Sequence, residues 1–368
     1  MIQIDVSDYS KETIETLTQQ IYYVSSQIQS VKYDSNTSTV NIILKSKYDK
    51  DIVENQINNL VKSLSHNKNY LKLKTHVNDI TVNYEKTYPS RHKEDYNEVL
   101  VILDSFFHEI AEKYGAKIRE FPITLDFNNL IKNKYHFHFP QHIYSLSTFK
   151  RDKKVIETFK KSGLDFPDNE DLEQEKSILR PCLCYHAYQE LENFVGSHAI
   201  YTSSGKCFRN EVPTFLNHFR HNEFFMREII FVGSSEFTQQ LRNEMIEEIW
   251  GIFCEIGMPG CIKNAEDPFF LNDDILKQHY QLLTNAKFEL LYVSSTGVEV
   301  AITSFNYLED YLCRQYNIYN NGKEEFLHSG CIAFGLDRWV TALFELFGEK
   351  KNIVDIINKQ RRKLHGHI

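Results

Sequence analysis

The chain has 368 residues, enough for a large core and a smaller companion, and its 42% hydrophobic and 13% aromatic content is that of an ordinary globular enzyme. A net charge of −8 argues against broad affinity for nucleic acid, because such binding depends on neutralising phosphates with Lys and Arg. No apolar run reaches the roughly 20 residues that cross a bilayer, the start MIQIDVSDYSKE lacks the regions of a signal peptide, and seven cysteines, an odd number in a large chain, do not make a disulfide framework. The expected setting is cytoplasmic.

Residues 1–86 alternate short apolar strands with helical stretches at 11–28 and 49–64, and a strand near 71–82 completes a βαββαβ order. That order predicts a small ferredoxin-like, split βαβ module, and nothing in it carries chemistry. The polar stretch EKTYPSRHKED (85–95) reads as a linker, so a second domain is expected over 87–368. Val99, Ile102, Leu103, Phe106 and Ile110 recur at helical spacing over 96–114, and 117–121 reads as a strand stopped by Pro122. Lys150, Arg151, Lys153, Lys154, Lys160 and Lys161 then form a basic cluster in an otherwise acidic chain. It is either a solvated helix face or a dock for an acidic partner.

In LRPCLCYHAYQEL (179–191), Cys182 and Cys184 would face one side if the segment were a strand, and a cysteine among apolar residues is ordinarily a buried thiol. The stretch KCFRNEVPTFLNHFRHNEFFMREIIFVG (206–233) reads as a β-hairpin, its second strand carrying Arg220, Phe224 and Glu228. Charged and aromatic groups on one surface suit a nucleoside triphosphate. Arg209 can grip the α-phosphate with its planar fork, Glu211 can accept from an exocyclic amine, and Phe224 can stack on a purine. His221 either reaches the triphosphate or is an exposed loop histidine. A helix with a Ser-Ser-Glu start covers 235–256. Strands are expected at EDPFF (266–270), KFELLYVSS (287–295) and EVAITSFNY (299–307). An apolar helix over 335–347 would bring Arg338 to the γ-phosphate, and a basic tail, KQRRK, lies near the end.

The hairpin and HSGCIAFGLDRW (328–339) together resemble motifs 2 and 3 of the class II aminoacyl-tRNA synthetases. They most closely resemble the amino acid:[carrier protein] ligases, which look like truncated atypical seryl-tRNA synthetases. The resemblance covers about 93–350. It implies an α+β fold, a mostly antiparallel sheet of about six strands flanked by helices, with motif 1 at 96–121 forming the interface of a homodimer. It implies that ATP and Mg²⁺ activate a small amino acid as its adenylate, which passes to the phosphopantetheine thiol of a carrier protein. Arg209 and Arg338 would be catalytic, and Glu211, Arg220, His221, Phe224 and Ala301 would help to bind ATP. Glu299, five residues before Ser304, matches a magnesium ligand of seryl-type enzymes, although a cross-strand ion pair is an equal reading.

Pro181, Cys184, Tyr185 and Tyr188 reproduce a metal-binding segment of the resembled family, and Cys331 lies seven residues before Arg338, as it does there. The resemblance therefore implies Zn²⁺ on Cys184, Glu228 and Cys331 with a fourth position open for the substrate amine, Ser304 and Asn306 lining the amino-acid pocket beside Glu228. Cys182 and Cys207 fall outside that pattern and read as structural. The chain departs from the family at Leu308, where histidine is common, and in a hairpin loop about two residues longer. Without a heptad stretch, no tRNA partner is expected. The alternatives are a tRNA-using seryl-type synthetase and a non-catalytic paralogue.

Overall fold

The computed structural model describes residues 1–45, 50–65, 74–265, 286–321 and 325–366; the strand expected at 266–270 lies outside them. The N-terminal module runs β1 (Ile2–Asp5), α1 (Lys11–Ile21), β2 (Ile28–Asp34), β3 (Thr39–Leu44) and α2 (Lys50–Ser65). Its three strands lie antiparallel in the order β1-β3-β2. Ile14, Leu17 and Ile21 on α1 and Val53 and Ile57 on α2 share a face at helical spacing and close a separate core over Ile2, Ile4, Val40 and Ile42. Ser10 caps α1 by accepting from the Thr13 amide (3.3 Å). The helix ends at Ile21, earlier than its sequence suggested.

The strand expected to close this small sheet does something else. Its described part, β4 (Lys74–Asn78), pairs antiparallel with a strand of the large sheet. Side chains anchor it there. Asn78 donates to the Met258 carbonyl (2.8 Å), and His76 packs edge-on against Trp250. A strand's own alternation says which residues face a core but not which sheet it joins.

The second domain continues with α3 (Glu94–Lys113), β5 (Lys117–Ile118), β6 (Thr124–Asp126), α4 (Phe127–Asn133), α5 (Tyr135–His138), β7 (Tyr144–Phe149), α6 (Lys153–Ser162) and β8 (Leu172–Leu179). Then come α7 (Cys184–Glu190), β9 (Val195–Gly196), β10 (Ala199–Phe208), β11 (Glu223–Gly233), α8 (Ser235–Ile256) and β12 (Gly260–Asn264). The described chain ends with β13 (Lys287–Val293), β14 (Glu299–Tyr307), α9 (Tyr311–Gln315), β15 (Tyr319–Asn320), β16 (His328–Gly335), α10 (Leu336–Phe347) and α11 (Lys350–Leu364). Among the described residues eight strands form the large sheet in the order β4-β12-β13-β14-β16-β11-β10-β5, every pair antiparallel except β10 with β5. This is the α+β architecture expected, widened by an edge strand from each of the flanking segments.

The period of two along each strand divides the sheet into two faces. Ile229 and Phe231 of β11, Ile332 and Phe334 of β16, Phe305 of β14 and Leu290 and Tyr292 of β13 turn toward α3, α8 and α10, where Trp339 is fully buried. Each such side chain contributes about 2 kcal/mol of hydrophobic stabilisation. The alternate residues turn to the face those helices leave uncovered, where Ile230 and Val232 pack against Tyr188, Leu312 and Tyr316 and others line a cavity. The stretch read as a linker has no regular structure before α3 begins at Glu94, but it is tied down. Tyr84 donates to the Val293 carbonyl (2.7 Å), Tyr88 bonds Glu345 and stacks on His218, and Arg91 bonds Asp337 (2.9 Å). Among the described residues no helix is long and apolar enough to cross a membrane.

Candidate active site

The uncovered face of the sheet floors a cavity of about 880 Å³. Register decides what lines it. Glu228 lies opposite Ala333, Ala333 opposite Ser304, and Ser304 opposite Glu289. One step along, Ile230, Cys331, Asn306 and Lys287 are partners in the same way. Phe224, Glu228, Cys331, Ser304 and Asn306 therefore rise from three neighbouring strands into one cavity. Asn306 Nδ2 donates to Ser304 Oγ (3.1 Å) and to the Cys331 carbonyl (3.2 Å), which fixes the amide beside the cysteine.

At one end of the cavity guanidinium groups converge. Arg209 follows β10, its amide on the Asn222 carbonyl (2.8 Å) and its guanidinium 5.3 Å from the Phe224 ring. Arg338, in the first turn of α10, donates to the Phe219 carbonyl (3.0 Å) and, through Nη1, to the Ala301 carbonyl (2.7 Å). Burial, with Arg220 and Arg209 nearby, lowers Arg338 to about 10. Positive charge crowded in this way favours an anion. Arg220 is not on the second strand, which begins at Glu223; it sits in the hairpin turn and pairs with the buried Glu211 (3.2 Å). His221 lines the cavity and has a partner, the His218 carbonyl (3.2 Å).

Thiols gather around a carboxylate beside Arg209, whose Nε donates to the Pro181 carbonyl (3.3 Å). The Cys182–Cys184 segment is not a strand: β8 stops at Leu179, and Cys184 is the first residue of α7. Arg180 holds the entry, donating to the Lys206 (2.8 Å), Phe121 (2.7 Å) and Pro122 (2.9 Å) carbonyls. Its guanidinium lies where a Cβ at residue 205 would project, so only Gly205 allows the approach. Cys182 and Cys184 still meet, Sγ to Sγ 3.5 Å, and both lie with Glu228 in a cluster whose donor atoms are within 4.8 Å of one another. Glu228, 1% exposed, accepts from the Leu183 amide (3.2 Å) and from Cys331 Sγ (3.6 Å). Burial pushes the Glu228 carboxyl and the Cys182 thiol above their usual ranges. A divalent cation with a taste for sulfur fits this donor set, because it would hold the thiols as thiolates and neutralise the carboxylate.

Glu299 is not brought into the cavity. It stands at the start of β14, held across the strands by Lys263 and by Lys74 (3.7 Å), which is the ion-pair reading of this residue. Glu289 lines the cavity in its place. Sequence reasoning missed it because Lys287 and Glu289 look like ordinary polar alternation, and only the β13–β14 register puts Glu289 beside Ser304. His142 was missed too: its carbonyl accepts from the Asn210 amide (3.0 Å), and burial and the Arg209 charge lower its imidazole to about 4.

No protein-family profile matches the chain. Amino acid–[acyl-carrier-protein] ligase 2 of Bradyrhizobium diazoefficiens is 30% identical over 188 residues, 49% of this chain and 54% of the relative. The type-2 serine–tRNA ligase of Methanopyrus kandleri is 22% identical over 270 residues, 67% of this chain and 51% of the relative. The chain thus spans about half the length of the curated relatives it matches. A solved structure of the M. kandleri seryl-tRNA synthetase in complex with A. aeolicus tRNASec superposes with a TM-score of 0.62 at 16% identity, over 97% of this chain and 77% of that one. The fold is that of the class II seryl-tRNA synthetases, and in sequence the chain is similar to these two groups of ligases.

Proposed function

We propose that the chain uses ATP to activate a small amino acid as its adenylate and passes it to the phosphopantetheine thiol of a carrier protein. One observation carries this: the guanidinium groups and the thiol–carboxylate cluster open into the same cavity, as adenylation requires. Arg209 and Arg338 hold the phosphates in line and offset the charge that develops at the α-phosphorus as an amino-acid carboxylate oxygen attacks and pyrophosphate leaves. Phe224 supports the purine, Glu211 and Arg220 border it, and Glu289, which now pairs with Lys287 (3.0 Å), would hold magnesium. Cys184, Glu228 and Cys331 would hold zinc, which when bound supplies a Lewis acid for the substrate amine. Ser304 and Asn306 face the side chain. In the second step the carrier thiol, losing its proton, attacks the carbonyl carbon, and AMP leaves. Val101 on α3 and Ile118 on β5, 64% and 62% exposed, support a homodimer through this edge.

An acidic carrier would find its dock on α6, a helix with no buried residue, where Lys153 is 87% exposed and its pair with Glu157 is long (3.7 Å). The C-terminal basic residues serve less well, since Arg361 and Lys363 already pair with Glu109 (2.9 Å) and Glu255 (2.7 Å). The test is pyrophosphate exchange with each of the twenty amino acids, followed by labelled transfer to holo-carrier and to tRNA. Exchange with label on the carrier is expected. Label on tRNA alone would establish the seryl-type reading, and no exchange at all would leave a non-catalytic paralogue. Charge reversal at Lys153 and Lys154 should slow transfer several-fold, most at low salt, without touching adenylation.

A further inference from the structure

We propose that Cys182 is a fourth ligand of the thiol–carboxylate site, closing it in the absence of substrate and leaving when an amino group takes its place. The inference rests on the reading of that site as a zinc site. Its ground is geometry. Zn–S bonds of about 2.3 Å and Zn–O bonds of about 2.0 Å make a tetrahedron with edges of about 3.8 Å between sulfurs and 3.5 Å between sulfur and oxygen. Cys182 Sγ lies 3.5 Å from Cys184 Sγ, and Cys331 Sγ lies 3.6 Å from Glu228 Oε2, so opposite edges of such a figure are already near their lengths. The donors that lie within 4.8 Å of one another are Cys182, Cys184 and Glu228, and Cys331 joins them through its contact with Glu228. A site with only Cys184, Glu228 and Cys331 as ligands would leave a third thiol facing the metal with nothing to do.

The four donors differ in how they are held. Glu228 and Cys331 sit inside β11 and β16, and Cys184 opens α7, so each is fixed by a hydrogen-bonded element. Cys182 lies in the irregular segment between β8 and α7. It alone of the four can withdraw without breaking a strand or helix, and its side chain is the one an entering ligand would displace. The exchange balances. The zinc–sulfur bond to Cys182 breaks, a bond from the substrate nitrogen forms, and the proton given up by the substrate ammonium goes to the departing Cys182 thiolate.

Cobalt substituted for zinc reports this directly, because sulfur-to-cobalt charge-transfer absorption grows with the number of bound thiolates. Wild type and Cys182→Ser, each loaded with one equivalent of cobalt, should differ by about a third of the band, three thiolates against two. Adding the amino acid that is active in pyrophosphate exchange, without ATP, should lower the wild-type band by a similar fraction and leave the variant unchanged. Equal bands in wild type and variant overturn the inference while the zinc site itself stands; purified wild type free of zinc overturns both. Should the variant fail to fold, mass-mapped alkylation of the zinc-loaded wild type decides. Cys182 protected alone and modified once the amino acid is added supports the exchange, and equal modification in both states overturns it.

Discussion

Arg227 and Glu228 are neighbours in β11, both buried, and the strand turns them to opposite faces of one sheet. On the helix side Arg227 is fully answered: Nε and Nη2 clasp Asp104 of α3 at 2.6 and 2.9 Å, and Nη1 donates to Thr202 (3.0 Å). On the open side Glu228 is met by backbone amides and a thiol, and the Arg209 charge acts on it without closing an ion pair among the described residues. Burying a charge costs several kcal/mol unless it is matched. A charge matched within the chain belongs to the fold, and one left to be matched from outside belongs to a ligand.

The comparison breaks most completely at the metal. Cys184→Ser and Cys331→Ser should each lose stoichiometric zinc by elemental analysis and lose adenylation, with far-UV circular dichroism unchanged. Retention of the metal in both would place its ligands elsewhere. Next comes Arg227→Ala, which strands Asp104 and should cost about 3 kcal/mol in urea unfolding while zinc content per folded chain stays at the wild-type value. Arg338→Ala reverses the pattern: adenylation should fall about a hundredfold, ~2.7 kcal/mol, with zinc and stability near wild type. A variant that lost amino-acid affinity at an unchanged rate constant would contradict its role at the phosphates.

The smallest effect is on pH. His142, lowered to about 4 from an unfolded value of 6.5, binds its proton more readily in the unfolded chain. Above pH 6.5 it is neutral in both states. Stability should therefore decline as pH falls from 6.5 toward 4, and His142→Gln should flatten that part of the urea-denaturation profile. An unchanged slope would mean that the imidazole is solvated.

What the sequence made legible follows from how local each signal is. The ends of α8 could be read directly, since Ser234 caps the first turn by accepting from the Phe237 amide and Gly257 takes the left-handed exit at φ 84°. Alternation along the hairpin put Phe224 and Glu228 on one surface, whereas Cys331, Ser304 and Asn306 were brought beside them only by the resemblance, and in the structure all five line one cavity. Two things could not be read. Strand pairing is a relation between distant segments, so the partner of β4 and the place of Glu289 had no local mark. Cys182 and Cys184 were judged by strand geometry, whereas a helix start brings the two sulfurs together by another route.

The strap between β4 and α3 has a consequence for the order in which the chain can be assembled. Lys86 and Tyr88 bond Glu345, and Arg91 bonds Asp337, partners that emerge from the ribosome some 250 residues later. The N-terminal module, with a core of its own, can fold as soon as it is made. During synthesis β4 and the strap must wait as an unpaired strand and an undocked tail until β12 and α10 arrive, and unpaired strand edges are where nascent chains aggregate. The same polar sequence that looks like a linker, rich in Lys, Arg and Glu, is what can wait in water without harm.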